Sequence, residues 1–409
     1  MKATPRVVKE HLGVGCFTPT KKAEKYILQV LRSGRLSYGP FIKRFEKEFA
    51  KAHGVRFAVM VNSGTSALRI AFACLKETEK WKDGDEVLVP ATTFIATANT
   101  VISNGLVPVF VDVDPKTYNI DPEDMKRKIT SRTRAVVPVH LMGLPADMRP
   151  IKRIARAHKL KIVEDSCETM FVKYRGISVG SLSDIACFST YIAHMIVTGV
   201  GGLTVTNNPK YARILRSLAN HGRDNIYISM DDSKGKRGKA FEEIIARRFR
   251  FVRPGFSFRV TEFEGALGCV ELEKGKSITR TRQKNARYLI KHLDPLKEYI
   301  QLPSHPPYTE HAFMLFPIVV HKKSGVTKRN LVNFLESRGI ETRDLMPLVN
   351  QPYIRKKYAI RTGDFPVADW INTHGFYIGC HQAMGQAELD YIITTLFDFF
   401  KHHGYKASK

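Results

Sequence analysis

From residue 55 to 207, short runs of β-branched and aliphatic residues alternate with stretches of helical period. "VRFAVMV" precedes "SGTSALRIAFACL", "EVLVPA" precedes "TFIATANTVISNG", and "VPVFVDV" leads to "DPEDMKRKI". "RAVVPVHLMG" is followed by "DMRPIKRIARAH" and then by "KIVEDS". Strands that are apolar throughout predict a mostly parallel sheet with helices on both faces. "IACFSTY" and "GLTVTN" read as two further strands set close together, which makes seven. A helix, "PKYARILRSLA", then runs to "NHGRD", and a charged segment over 224–250 reads as a surface excursion or a lid. Residues 261–293 keep a long helical period that predicts a helix between two domains. From about residue 300, "HAFMLFPIVV", "TKRNLVNFLESRG", "GFYIGC" and "QAELDYIITTLFDFF" alternate strand and helix in a different rhythm. The reading is an α/β chain in four parts. They are an arm over 1–20, a large domain over 21–260 carrying the 224–250 insertion, a linking helix over 261–293, and a smaller C-terminal α+β domain over 294–409.

Composition narrows the class. Of 409 residues, 43% are hydrophobic and 25% charged, enough to bury two cores and too apolar for disorder. The start lacks an apolar leader, and no apolar run is long enough to cross a bilayer, so a soluble, cytoplasmic protein is expected. Cys16, Cys74, Cys167, Cys187, Cys269 and Cys380 lie far apart. That spacing argues against a disulfide framework, a zinc site or a cysteine-held iron–sulfur cluster. The net charge of +26 raises nucleic acid as a partner, but the basic residues are spread out and no recognition motif accompanies them. A positive field equally draws in a small anionic substrate such as a nucleotide-sugar diphosphate.

Ligands of such sheets sit beyond the carboxyl ends of the strands, where the polar residues gather here. In "VNSGTSAL" a strand meets a helix start, whose free N–H groups make an anion site that Gly64 lets a ligand approach. It also reads as an ordinary helix cap. Asp165 ends the buried strand "KIVED", where a carboxylate needs a cationic or proton-bearing partner. The protonated pyridine nitrogen of PLP is one such partner, and a helix cap is the bland alternative. Phe94 could cover an aromatic ring or simply pack in the core. Ser189 could add a hydroxyl to the anion cup. His140 and His194 each read alone as packed histidines.

The order and spacing of these pieces resemble the nucleotide-sugar aminotransferases, the DegT-type PLP enzymes of fold type I. "VNSGTSAL", "VPATTFIATANTV", "VPVHLMGLPADM", "IVEDSCE", "GSLSDIACFSTY", "GGLTVTNN" and "NHGRD" carry the likeness, with "GIETRDLMPL" and "GFYIGCHQAMGQAELDYI" near the end. The resemblance implies that Gly64, Thr65 and Ser189 hold the cofactor phosphate, that Phe94 stacks on its ring and that Asp165 pairs with its nitrogen. Glu168 stands where the family usually has glutamine. A homodimer is also implied, each site completed by a partner segment that here reads Gly255-Phe256-Ser257, with Ser257 in place of asparagine. Val200 replaces a usual glutamate.

Position 194 matches the family's Schiff-base lysine and holds histidine, and imidazole cannot make that bond. Lys173 and Lys210 are too far along the chain to substitute. The sugar 3-dehydratases of this family make the same exchange, some with an iron–sulfur cluster and others without. The cysteine spacing favours the cluster-free kind, which regenerates PMP with glutamate. The implied substrate is a nucleotide-linked 4-keto-6-deoxy sugar, deoxygenated at C3, with His194 as the base. Arg223 and Arg343 are candidates for its diphosphate or for the glutamate carboxylates. An aminotransferase making a 4-amino or 3-amino sugar is the first alternative, and a catalytically idle binding module on the same fold is the second.

Overall fold

The computed structural model describes residues 11–224 and 233–404. Seven strands form the main sheet: β1 (Phe57–Val61), β2 (Glu86–Pro90), β3 (Val107–Val111), β4 (Thr133–Val136), β5 (Lys161–Asp165), β6 (Ile185–Ser189) and β7 (Gly202–Thr206). Their spatial order is β1-β7-β6-β5-β4-β2-β3. β7 alone runs against its neighbours, from Phe57↔Thr206 to Val61↔Gly202 on one side and Ala186↔Val205 to Ser189↔Gly202 on the other. The expected mostly parallel sheet of seven strands is present.

Because successive strand residues point to opposite faces, apolar strands feed two cores. Val59, Val61, Val87, Val89, Val163 and Cys187 join one, while Met60, Leu88, Ile162, Ala186 and Phe188 join the other. Helices α1 (Lys21–Ser33) and α2 (Pro40–Ala52) precede the sheet, α3 (Gly64–Thr78), α4 (Ile95–Ile102) and α5 (Met148–Ala157) connect its strands, and α6 (Pro209–Ala219) follows the last of them. α3 and α6 cover the first face through Leu68, Phe72, Ile214 and Leu218. α2 and α5 cover the second through Phe45, Phe49, Ile151 and Ile154.

The linking helix α7 (Glu262–Leu293) opens with a capping box between Thr261 and Glu264. Its first residue, Glu262, also accepts the backbone N–H groups of Gly39 (2.8 Å), Phe41 (2.8 Å) and Ile42 (3.1 Å), capping α2 from outside. Cys269 and Ile278 of α7 pack in the large domain, and Ala286, Leu289 and Leu293 in the small one. The small domain is an antiparallel sheet of order β8-β9-β11-β10, made from β8 (Ile300–Gln301), β9 (Leu315–Val320), β10 (Thr342–Asp344) and β11 (Gly375–Gly379). Helices α8 (Lys328–Ser337) and α9 (Gln386–His402) close its core.

Of the expected arm, Leu12 bridges to Ile340 and the Val14 N–H donates to Glu341 Oε2 at 2.8 Å, both in the small domain. Gly15 then crosses the turn after β6 so closely that a Cβ on it would sit 2.9 Å from Ala193 Cα. Of the charged excursion, residues 225–232 lie outside the described part. The rest holds a short helix, Lys239–Ala246, and a strongly exposed Phe249. Among the described residues no helix is long and apolar enough to cross a membrane.

Candidate active site

A cleft of about 1210 Å³ opens at the carboxyl ends of β2, β5 and β6, with Arg343, Met346 and Tyr377 of the small domain forming its far wall. At one end lies the start of α3. Ser63 is its N-cap, with Oγ accepting the Ser66 N–H at 3.0 Å, so Gly64 and Thr65 are the first helical residues and their N–H groups lack intrahelical acceptors. A Cβ on Gly64 would lie 2.8 Å from both Cys167 Sγ and Ser189 Cβ, so any side chain there would fill the cup. Ser189 ends β6 and lines the same cup. This end suits an anion.

Asp165, at the end of β5, is 4% exposed and lines the cleft floor. Its Oδ2 accepts from Thr97 Oγ1 at 2.8 Å and its Oδ1 from the Cys167 N–H at 3.2 Å. Among the described residues no lysine or arginine pairs with it, so its remaining lone pairs face a place where a cation or an N–H is wanted. Phe94 stands above the cleft at the N-cap of α4, 58% exposed although aromatic. A flat ring laid between Phe94 and the floor would cover that face. A phosphate-bearing pyridinium therefore finds its three needs, anion cup, carboxylate and aromatic cover, in one cavity.

His194 lies on the turn after β6, partly buried, and lines the cleft. Its Nδ1 is 2.5 Å from the Cys167 carbonyl oxygen. A carbonyl only accepts, so Nδ1 carries the hydrogen and the neutral ring presents the Nε2 lone pair. Burial holds this imidazole below its ordinary value, with the Cys167 carbonyl opposing the shift. Next to Cys167 comes Glu168, 6% exposed, whose Oε2 accepts the Met142 N–H at 2.7 Å. Burial pushes its carboxyl up to about 7; the Met142 bond resists and the nearby Asp165 adds to it. None of the residues lining the cleft is a lysine, Lys173 and Lys210 included.

The structure thus brings Gly64, Thr65, Phe94, Asp165, Glu168, Ser189, His194 and Arg343 to one cavity. Arg343 bonds the Thr342 carbonyl at 2.8 Å and pairs with Glu341. Arg223 and Ser257 do not line the cleft of their own chain. Arg223 lies over the rings of Phe249 and Phe251 and donates to the Arg248 carbonyl at 2.9 Å. Ser257 is exposed, in a bridge with Asn220. His140 is a packed residue: Nε2–H donates to Glu164 at 2.9 Å and Nδ1 accepts from Ala146, with both side chains of the His–Glu pair fully buried. Sequence reasoning missed Thr97 on α4, whose signal was its spacing of four from Thr93 just before that helix. It also missed Tyr377, a phenol on the far wall that lies within "GFYIGC" but was given no role there.

Comparison with known proteins agrees with this architecture. The model of the DegT/DnrJ/EryC1/StrS aminotransferase family matches residues 18–397. The chain is 33% identical over 381 residues to GDP-4-keto-6-deoxy-D-mannose 3-dehydratase of Escherichia coli O55:H7, covering 91% of this chain and 96% of that one. It is equally 33% identical, over 373 residues, to GDP-perosamine synthase of Caulobacter vibrioides, covering 91% and 93%. A crystal structure of GDP-4-keto-6-deoxymannose-3-dehydratase with a trapped PLP-glutamate geminal diamine superposes with a TM-score of 0.84 at 29% identity, covering 94% of this chain and all of that one. With the family matched over nearly its whole length, the chain belongs to the DegT/DnrJ/EryC1/StrS aminotransferases and is one of their PLP-dependent enzymes.

Proposed function

We propose that this enzyme is a 3-dehydratase of a nucleotide-linked 4-keto-6-deoxyhexose, working with unanchored PMP and regenerating it with glutamate. The observation that carries the reading is His194. It stands in the place of the anchoring lysine with Nδ1 committed to the Cys167 carbonyl, in a cleft that no lysine lines.

When bound, the coenzyme supplies an amine for the C4 ketone and a cationic ring able to accept electrons. Gly64, Thr65 and Ser189 hold its phosphate, with Ser257 of a second copy completing the cup. Asp165 keeps the proton on its ring nitrogen, Phe94 covers the ring and Glu168 lies beside it. His194 Nε2 would take a proton at the coenzyme's C4′ carbon and hand it to the departing C3 hydroxyl of the sugar, so one base would serve both steps. Arg343, on the cleft wall, receives a carboxylate of glutamate or the substrate diphosphate, and Arg223 is a second candidate across the dimer. The two electrons that reduce C3 come from oxidation of glutamate to 2-oxoglutarate and ammonia. Resemblance to a named 3-dehydratase supports this assignment, and the wide separation of the cysteines favours a form without an iron–sulfur cluster.

Given glutamate and a 4-keto-6-deoxy nucleotide sugar, the purified enzyme should release ammonia and 2-oxoglutarate and yield a sugar lacking one oxygen. Accumulation of a stable amino sugar would overturn this in favour of amine transfer, the reading that equal identity to GDP-perosamine synthase keeps in play. His194→Lys should gain a borohydride-trapped coenzyme adduct and lose ammonia release.

A further inference from the structure

Two carboxyl groups lie on one turn of the cleft floor, and they are not equivalent. Asp165 accepts from a hydroxyl and a backbone N–H. Glu168 accepts from the Met142 N–H alone, and its Oε1 has no partner among the described residues. No lysine or arginine among them pairs with Glu168 either. The groups that face it are Asp165 and Cys167 on its own turn and Tyr377 from β11. The Tyr377 phenol is itself pushed up by burial, so none of the three supplies a positive charge. The Met142 contact is held at some expense, because Met142 sits at φ 58, a left-handed conformation that a long side chain rarely adopts. The next residue, Gly143, turns at φ 100, where a Cβ would press on Met314 N at 2.7 Å. This backbone is bent to bring one N–H onto Oε2 and leaves Oε1 on the cavity side.

A buried carboxylate with one donor, no cation and a second carboxyl nearby is costly to ionise. The coenzyme of this family adds a further reason. With a proton on its ring nitrogen, its ring oxygen carries negative charge, which a carboxylate would repel and a carboxylic acid would bind. We propose that Glu168 works as a carboxylic acid, its Oε1–H donating to the ring oxygen of the bound coenzyme, and that loss of this proton sets the alkaline limit of coenzyme binding. The proposal rests on the coenzyme-binding part of the reading above, not on dehydration.

The sign follows from linkage. The donor form exists at low pH and is lost as pH rises through the carboxyl's titration, which burial pushes up to about 7 before any coenzyme binds. Bound coenzyme favours the protonated form and moves that titration higher. An amide in the same place carries a donor at every pH.

The test compares wild type with Glu168→Gln by fluorescence titration with pyridoxamine phosphate between about pH 6 and 9.5. Wild type should lose roughly tenfold in affinity per pH unit above its limb, while Glu168→Gln should lack that added slope. Other titrating groups, the phosphate and His194 among them, are common to both proteins and cancel in the difference. Parallel profiles would overturn the proposal, as would a natively folded Glu168→Gln that fails to bind at every pH. Should the variant not fold, infrared difference spectra of the unmodified protein decide: a protonated-carboxyl C=O band at about pH 8 in the loaded protein supports the proposal, and its absence overturns it. Neither readout uses a sugar, so a failed dehydration assay and a failed result here are separable.

Discussion

At the scale of single residues, one hydrogen bond decides which nitrogen of His194, the proposed base, keeps a free lone pair. The Cys167 carbonyl fixes the hydrogen on Nδ1, and burial lowers the ring's proton affinity, so Nε2 is available as a base at neutral pH. A group shifted down keeps its neutral form to lower pH. The acid limb of kcat/KM assigned to His194 should therefore lie below 6.5, with activity falling as pH drops through it. A pH–rate profile checks this, and a limb above 6.5 would contradict the described burial. The exchange at position 194 was legible in the sequence because a whole series of motifs surrounds it. The Cys167 carbonyl and the Thr97 hydroxyl were not, since they act across 27 and 68 positions and nothing in local spacing reports such distances.

At the scale of elements, the start of α3 is where the sheet's architecture offers the proposed phosphate cup. The strand-to-helix reading was plain from "VNSGTSAL", as was the division of each strand between two cores. The closeness of the cup was not, because β6 and the Cys167 turn reach it from elsewhere in the chain. Gly64→Ala tests it. The added methyl meets Cys167 Sγ and Ser189 Cβ at 2.8 Å, so coenzyme affinity should fall by about tenfold or more while the fold is kept. Fluorescence titration beside a thermal melt separates the two effects. Ser63→Ala, by contrast, removes a helix cap and should cost about 1 kcal/mol of stability.

At the scale of the molecule, a single chain leaves large apolar groups uncovered around and beyond the cleft. Tyr191 and Val200 border it, Ile192 is exposed beside them, and Phe249 is 79% exposed. Patches of this kind call for a partner surface, in keeping with the proposed homodimer whose Ser257 enters the opposite site. Mixing His194→Asn subunits with Ser257→Asp subunits tests that sharing. Each parent should be nearly inactive, while hybrids carry one intact site and the mixture recovers up to about a quarter of wild-type activity. No recovery in verified hybrids would place Ser257 outside the partner's site.

Residues 12 to 15 tie the small domain to the turn that carries His194, through Leu12 with Ile340, Val14 with Glu341, and Gly15 against Ala193. Any rocking of the small domain that widens the mouth is consequently handed on to the imidazole. Admission of the proposed sugar and alignment of the proposed base would become one mechanical event rather than two.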